Sequence, residues 1–379
     1  MLIGHIGVIF SRYSKAILIK GESNMFLAMK ELKHNKSKYA LIMTILVLLT
    51  FLVLFLAGLA NGLGSATSAL IKNAEATHYL ISEDADELIT RSQLTEDQWL
   101  QLTKKTEAAT PLNISRAAMM KREDDKKIDI TYVAVDPNAF MMPSIIDGAS
   151  LAEESTNEIV LNNTFEAEGI QIGDMIIDPT SNIEFKVVGF VKDQLYAHSN
   201  VGFVTLQTFK EMRPNQGYHG FALKGDQASE LILDKTTNLT KNEVIKNIPG
   251  YAQEQATISM ILIVLLLISA VILAVFFYVM TIQKIPQFGT LKALGIQMKS
   301  LRFMVLTQVL MIAGISMVLG NVLTFALASV LPSTMPFTLN VSTAALITVI
   351  FVVIALLSNL FTMSKISKVD PLMAIGGNE

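Results

Sequence analysis

The residue types that carry most protein chemistry are sparse in this chain and poorly placed to cooperate. Cysteine is absent, which removes disulfides, thiolate zinc sites, iron–sulfur clusters and a cysteine nucleophile. The five histidines are scattered. No Gly-x-x-x-x-Gly-Lys-Ser/Thr loop exists to cradle nucleotide phosphates, and neither His-Glu-x-x-His nor Gly-x-Ser-x-Gly occurs. ATP binding, metalloproteolysis and serine-esterase chemistry therefore have no candidate machinery here. The conspicuous feature is instead the lack of charge over long runs. Lys38 and Lys72 bracket 33 uncharged residues, Glu254 and Lys284 bracket 29, and Arg302 and Lys365 bracket 62. An intramembrane enzyme or proton pump needs ionisable groups inside its spans, whereas these runs offer only Tyr39 and Tyr278 near their ends.

Those runs dictate the elements. Composition agrees with a membrane chain: 379 residues, 51% apolar, 17% charged, and a mean hydropathy of +0.46. A net charge of -3 without a basic tract excludes a nucleic-acid partner. The sequence predicts four transmembrane α-helices near 39–61, 257–281, 303–330 and 342–363. The 62-residue run is too long for one helix, and Pro332 and Pro336 break it in a short outer turn at 331–341. A large α+β extracellular domain, residues 62–256, is expected between helices 1 and 2. Segment 72–256 holds 17 of the 30 basic and 29 of the 33 acidic residues, whereas the remaining stretches hold 13 basic against four acidic. The basic flanks place both termini and the 282–302 loop in the cytoplasm of a plasma-membrane protein, with the acidic domain outside.

Finer features follow. Strands are expected at 78–82, 128–135, 183–191, 201–207 and 218–224, which are rich in β-branched and aromatic residues, with helices after Thr95 and Thr240. Gly58 and Gly62 form a Gly-x-x-x-Gly spacing expected to let two helices meet closely at a dimer interface. Residues 25–38 read as an interfacial helix on lipid headgroups. Lys20-Gly21-Glu22 is what a purine-rich ribosome-binding site reads as when translated, so the natural start is expected at Met25. In the inner loop, Pro286 opens a short helix whose Phe288, Leu291 and Leu294 recur at helical spacing, and Gly295 stops it.

Several segments resemble the FtsX/MacB-like permease family of ABC transporters. They are LFLAGLANGLG (54–64), YAHSN (196–200), YAQEQ (251–255), FFYVMTIQKIPQFGTLKALGI (276–296) and KVDPLMAIGG (368–377). YAHSN and YAQEQ are closest to the haem-exporting members. The resemblance implies a homodimer of this chain working with two copies of a separate ABC ATPase, which would bind ATP-Mg. Motion would enter through the inner helix, with Lys284, Ile285, Pro286, Phe288, Gly289, Leu291, Lys292 and Leu294 as coupling residues. The apolar teeth would seat in an ATPase groove, with lysines making bonds at its rim. The transported ligand would be haem collected from the lipid. Tyr196 and His198, two apart on an expected strand end, and Tyr251 and Glu254, three apart on a helix, are the implied binding residues. Met260 is a further soft ligand and Phe55 an apolar wall. Export of antimicrobial peptides or lipids, or relay of ATPase motion to an extracellular protein, are the competing readings of the same scaffold.

Overall fold

The computed structural model describes residues 36–122, 126–293, 297–332 and 335–366. The expectations for Met25, the helix before Lys36, Leu294, Gly295 and the KVDPLMAIGG segment lie outside these residues. The chain divides into two compact units. One comprises residues 1–59, 259–331 and 338–379, the other residues 60–258 with 332–337.

Among the described residues, four helices are long and apolar enough to cross a membrane. They are α1 (Lys36–Asn73), α5 (Tyr251–Ile282), α7 (Met298–Ala328) and α8 (Val341–Ile366), with the short α6 (Ile285–Ala293) between α5 and α7. Each outruns its expected span at one end or both, two of them by six residues or more. α1 continues twelve residues past 61 because nothing in ANGLGSATSALIKN breaks it. The Thr67 and Ser68 hydroxyls simply donate back to the Leu63 and Gly64 carbonyls. α5 starts six residues before 257, at the Pro249-Gly250 turn, where Gly250 takes φ +87.

The helical unit packs Val53, Leu54, Phe277, Val305, Val309, Ile312 and Phe351 into one core. At Gly320 on α7 an added Cβ would fall 2.8 Å from Thr50 Cβ on α1, so these backbones meet closely. Asn321 Nδ2 donates to Thr348 Oγ1 at 3.0 Å, a polar tie between α7 and α8. α5 is different. Its Met260, Ile263, Leu267, Val271 and Val275 form an exposed apolar stripe at helical spacing.

The Gly-x-x-x-Gly expectation is corrected. A Cβ on Gly62 would lie 2.0 Å from the Pro336 carbonyl oxygen, and Gly58 O accepts from Thr338 N–H at 3.0 Å. The loop between α7 and α8 occupies both glycines, so they face the chain itself rather than a second copy.

In the outer unit eleven strands form one continuous sheet. They are β1 (His78–Ser82), β2 (Ala109–Lys121), β3 (Lys127–Val135), β4 (Ile145–Gly148), β5 (Glu158–Asn162), β6 (Met175–Asp178), β7 (Ile183–Val191), β8 (Leu195–Tyr196), β9 (Ser199–Thr205), β10 (Gly220–Leu223) and β11 (Thr236–Thr240). Pairing runs β2-β3-β9-β5-β7-β6 and returns to β2, closing a ring. Closure leaves no free edge, and Tyr132, Phe165, Phe185, Phe190 and Ile176 fill the interior. The first four residues of β2 pair instead with β10, continuing through β1 to β11 in an antiparallel sheet. Helix α2 (Glu96–Thr103) buries Leu102 on one face of that sheet, beside Leu80 and Phe221. Helix α4 (Lys241–Asn247) and the last turns of α1 cover the other, where Leu70, Ile71, Val244 and Ile245 meet Tyr79 and Ile81. Thr95 and Thr240 close capping boxes with Gln98 and Glu243. Helix α3 (Leu206–Met212) completes the unit.

Candidate functional site

The outer unit gathers three polar side chains from distant parts of the chain. Thr67 comes from the upper turns of α1, His198 from the turn between β8 and β9, and Glu254 from the first turn of α5. Nε2 of His198 lies 2.9 Å from Glu254 Oε1 and 3.1 Å from Thr67 Oγ1. Thr67 Oγ1 is in turn 3.3 Å from Glu254 Oε2. Position is over-determined. Ala197 and His198 form a two-residue hairpin turn with φ +48 and +63, and their N–H groups donate to the Thr67 and Ala66 carbonyls at 2.9 and 3.0 Å. A left-handed pair of this kind costs roughly 1 kcal/mol per non-glycine residue, and the bonds to α1 offset it. With a carboxylate facing Nε2, the neutral ring keeps its proton there. Nδ1, which has no partner among the described residues, then carries the lone pair. The imidazole side chain is 45% exposed.

The turn overturns one expectation. Tyr196 and His198 do not face the same way, because the chain reverses between them. Tyr196 is 4% exposed and packs in the hydrophobic core with Leu70, Val201 and Phe203, and that burial pushes its phenol well above its ordinary pKa. A buried, protonated phenol is not placed to meet a ligand from solvent. Tyr251 is partly buried at the edge of the same cluster, with Cε2 3.8 Å from where a Gly64 Cβ would stand. A side chain at Gly64 would also collide with Gln255, so glycine there lets α1 approach the Tyr251–Gln255 turn. Phe55 and Met260 belong to the helical unit, where Phe55 stacks on Phe51 at 5.8 Å and Met260 is 62% exposed. Thr67 was not legible as a site residue, since an isolated threonine in an apolar helix carries no signal.

The inner helix α6 exists with Pro286 in its first turn, where its missing N–H is harmless. Its faces are the reverse of the expectation. Phe288 is 5% exposed and packs in the core of the helical unit, and Leu291 packs partly against it. Gly289 is buried, whereas Gln283, Pro286, Gln287 and Thr290 are exposed, with Ile285 between. Lys284 is buried too, with Nζ donating to Oε1 of the Gln308 side chain. Its ammonium is therefore held inside the helical unit. The Lys292 side chain lies outside the described residues. Phe288 and Leu291 turn inward because the helix packs on its own bundle, which leaves Pro286, Gln287 and Thr290 facing out.

Comparison with known proteins decides the class. Residues 39–237 match the family described as MacB-like periplasmic core domain, and residues 259–371 the family described as FtsX-like permease C-terminal. A protein of Staphylococcus haemolyticus named hemin transport system permease protein HrtB is 30% identical over 94% of this chain and all of its own length. The chain belongs to the FtsX/MacB-like permease family. A second protein named HrtB, from Staphylococcus epidermidis, is 27% identical over 94% of this permease and its own full length. The periplasmic region of MacB from Actinobacillus actinomycetemcomitans has a TM-score of 0.36 at 14% identity, covering 48% of this chain and 96% of that one. As a family member this chain is an ABC transporter permease, a transport subunit with four membrane helices and a large extracellular α+β domain.

Proposed function

We propose that this permease exports haem from a bacterial plasma membrane, driven by a separate ATPase subunit. The likeness to HrtB-named permeases over 94% of the chain carries this reading. The cluster at His198 supports a place for the ligand. Haem is a flat apolar ring with two propionates, and its iron takes nitrogen or phenolate oxygen. Glu254 orients the imidazole through Nε2, leaving Nδ1 as the electron-pair donor, and Tyr251 stands one helical turn before Glu254. Thr67 completes the orientation from α1. Tyr196 supports the fold around them rather than touching iron. Met260 and Phe55 offer haem apolar contact within the helical unit.

The drive is mechanical. Both termini and α6 lie in the cytoplasm, and two ATPase subunits close on ATP-Mg beneath a homodimer of this chain. Their motion enters through the outward side of α6, at Pro286, Gln287 and Thr290, and through Gln283 just before it. With Gly58 and Gly62 occupied by the chain's own loop, the exposed α5 stripe is the face suited to the second copy. No aqueous tunnel is needed, which suits helices without charges at mid-span.

The test is spectroscopic. Purified chain titrated with haemin should give a bound Soret band, which His198→Ala with Tyr251→Phe should weaken at least tenfold in affinity. An unchanged band in the double variant removes the site. A wild-type chain that leaves the haemin spectrum untouched removes the substrate.

A further inference from the structure

The sequence makes Lys284 look like an exposed cation at the edge of an inner loop. The structure puts it inside the helical unit, 4% exposed, in the two-residue joint between the end of α5 and the start of α6. Its ammonium donates to Oε1 of Gln308 on α7, a residue with no exposed surface. Gln308 Nε2 reaches the Tyr39 hydroxyl on α1 at 3.4 Å, and the Lys284 ammonium stands 6.0 Å from the Tyr39 ring centre, over its face. Tyr39 is itself buried. α1, α7 and the joint between α5 and α6 thus meet through one polar knot.

Burying an ammonium is strongly unfavourable unless oriented acceptors surround it, so an apolar side chain of similar length would fill this space more cheaply. What an apolar residue does not supply is register. Hydrocarbon surfaces slide past one another, whereas a hydrogen-bonded cation fixes one relative position of its partners. The placement matters because Lys284 belongs to neither flanking helix. Any displacement of α6 moves its backbone, which is tied into both neighbours: Lys284 N–H donates to Thr281 O at 3.1 Å, and Phe288 N–H to Lys284 O at 2.9 Å.

We infer that the Lys284–Gln308–Tyr39 knot is the internal pin that transmits displacement of α6 to α7 and α1. Lys284 is a positioning residue, acting through its two neighbours and touching neither the ATPase nor the ligand. This rests on the reading that a separate ATPase drives the chain, but not on haem being the cargo.

The experiment exploits the absence of cysteine. A single Gln253→Cys substitution, at an exposed position on α5, carries an environment-sensitive fluorophore in the full permease reconstituted with its ATPase subunit. ATP should change the emission in the wild-type background. Lys284→Met should abolish at least nine-tenths of that change while ATPase assembly and hydrolysis stay within twofold. Gln308→Glu, which keeps an acceptor for the ammonium, should retain most of it, and Gln308→Leu should behave like Lys284→Met. The double variant Lys284→Met with Gln308→Leu should be no worse than either alone. If Lys284→Met responds like wild type, or if Gln308→Leu does, the pin is refuted. Loss of ATPase assembly in a folded Lys284→Met variant also refutes it, placing Lys284 at the partner contact instead. A wild-type signal blind to ATP overturns the underlying reading of an ATPase-driven chain.

Discussion

Gly62→Ala tests the corrected role of the Gly-x-x-x-Gly segment. The added methyl would stand 2.0 Å from the Pro336 oxygen, 2.3 Å from its carbon and 2.6 Å from the Phe337 nitrogen. All three are backbone atoms, so no rotamer change relieves the clash, and the loop must move by about 1.5 Å to reach ordinary contact. Overpacking of this kind costs about 1–3 kcal/mol. Disturbing the neighbouring Thr338 N–H to Gly58 O bond adds about 1 kcal/mol. Replacing a helical glycine by alanine returns about 1 kcal/mol. The net loss is therefore about 2 kcal/mol. Gly314 is the control. Nothing lies within 4 Å of its Cβ position, so Gly314→Ala should be neutral or up to about 1 kcal/mol stabilising. Unfolding of the detergent-solubilised chain, followed together with its self-association, measures both. Should Gly62→Ala keep wild-type stability and lose only self-association, the glycines face a second copy and the intrachain assignment is wrong.

Two further outcomes are expected. His219 is buried, with Nδ1 accepting from Ile114 N–H at 3.0 Å, and its burial depresses the imidazole pKa to about 4. The unfolded chain takes up this proton near pH 6.5 and the folded chain only near 4. Stability is therefore complete above 6.5 and falls as pH drops through that window, by roughly 3 kcal/mol at about 1.4 kcal/mol per unit. Melting at pH 7.5 and 4.5 should differ less in His219→Gln than in wild type, and equal differences would count against it. On α6, Gln287→Trp should block capture of the ATPase subunit while leaving the permease as stable as wild type. Phe288→Ala should instead lower stability by about 3 kcal/mol, measured by thermal unfolding, because it empties a buried site. The opposite pattern would restore the apolar teeth as the docking face.

The four spans were legible because a charge inside a bilayer is expensive, so the gaps between Lys38 and Lys72 or Arg302 and Lys365 announce themselves. Their ends were not, since α1 needs no lipid to continue once its hydroxyls bond their own backbone. Strands β1 and β7 were legible to the residue from their β-branched and aromatic runs. The long β2 was missed. ATPLNISRAAMMK contains a proline, three alanines and no alternation, and its stability comes from neighbours on both edges. At the candidate site, Glu254 and His198 were named from their segments, and the structure brings them to 2.9 Å. Their geometry was misjudged because Ala197-His198 carries none of the Asn-Gly chemistry that marks a tight hairpin turn. On α6 the 3.6-residue period gave the helix. Period alone does not say whether the apolar side meets the chain's own bundle or a partner.

The thirteen residues of β2 serve two lobes at once. One edge meets β10 at Ala109–Leu112 and β6 at Met120–Lys121, while the other runs along β3 from Asn113 to Met120. The two pairings meet end to end at Leu112 and Asn113, and one core joins Tyr79, Ile81 and Ala222 of the antiparallel sheet to Val133, Val135 and Phe203 of the ring, so opening a cleft between the lobes would expose that shared apolar core. Tilting the unit whole would leave that core closed, whereas parting its lobes would not.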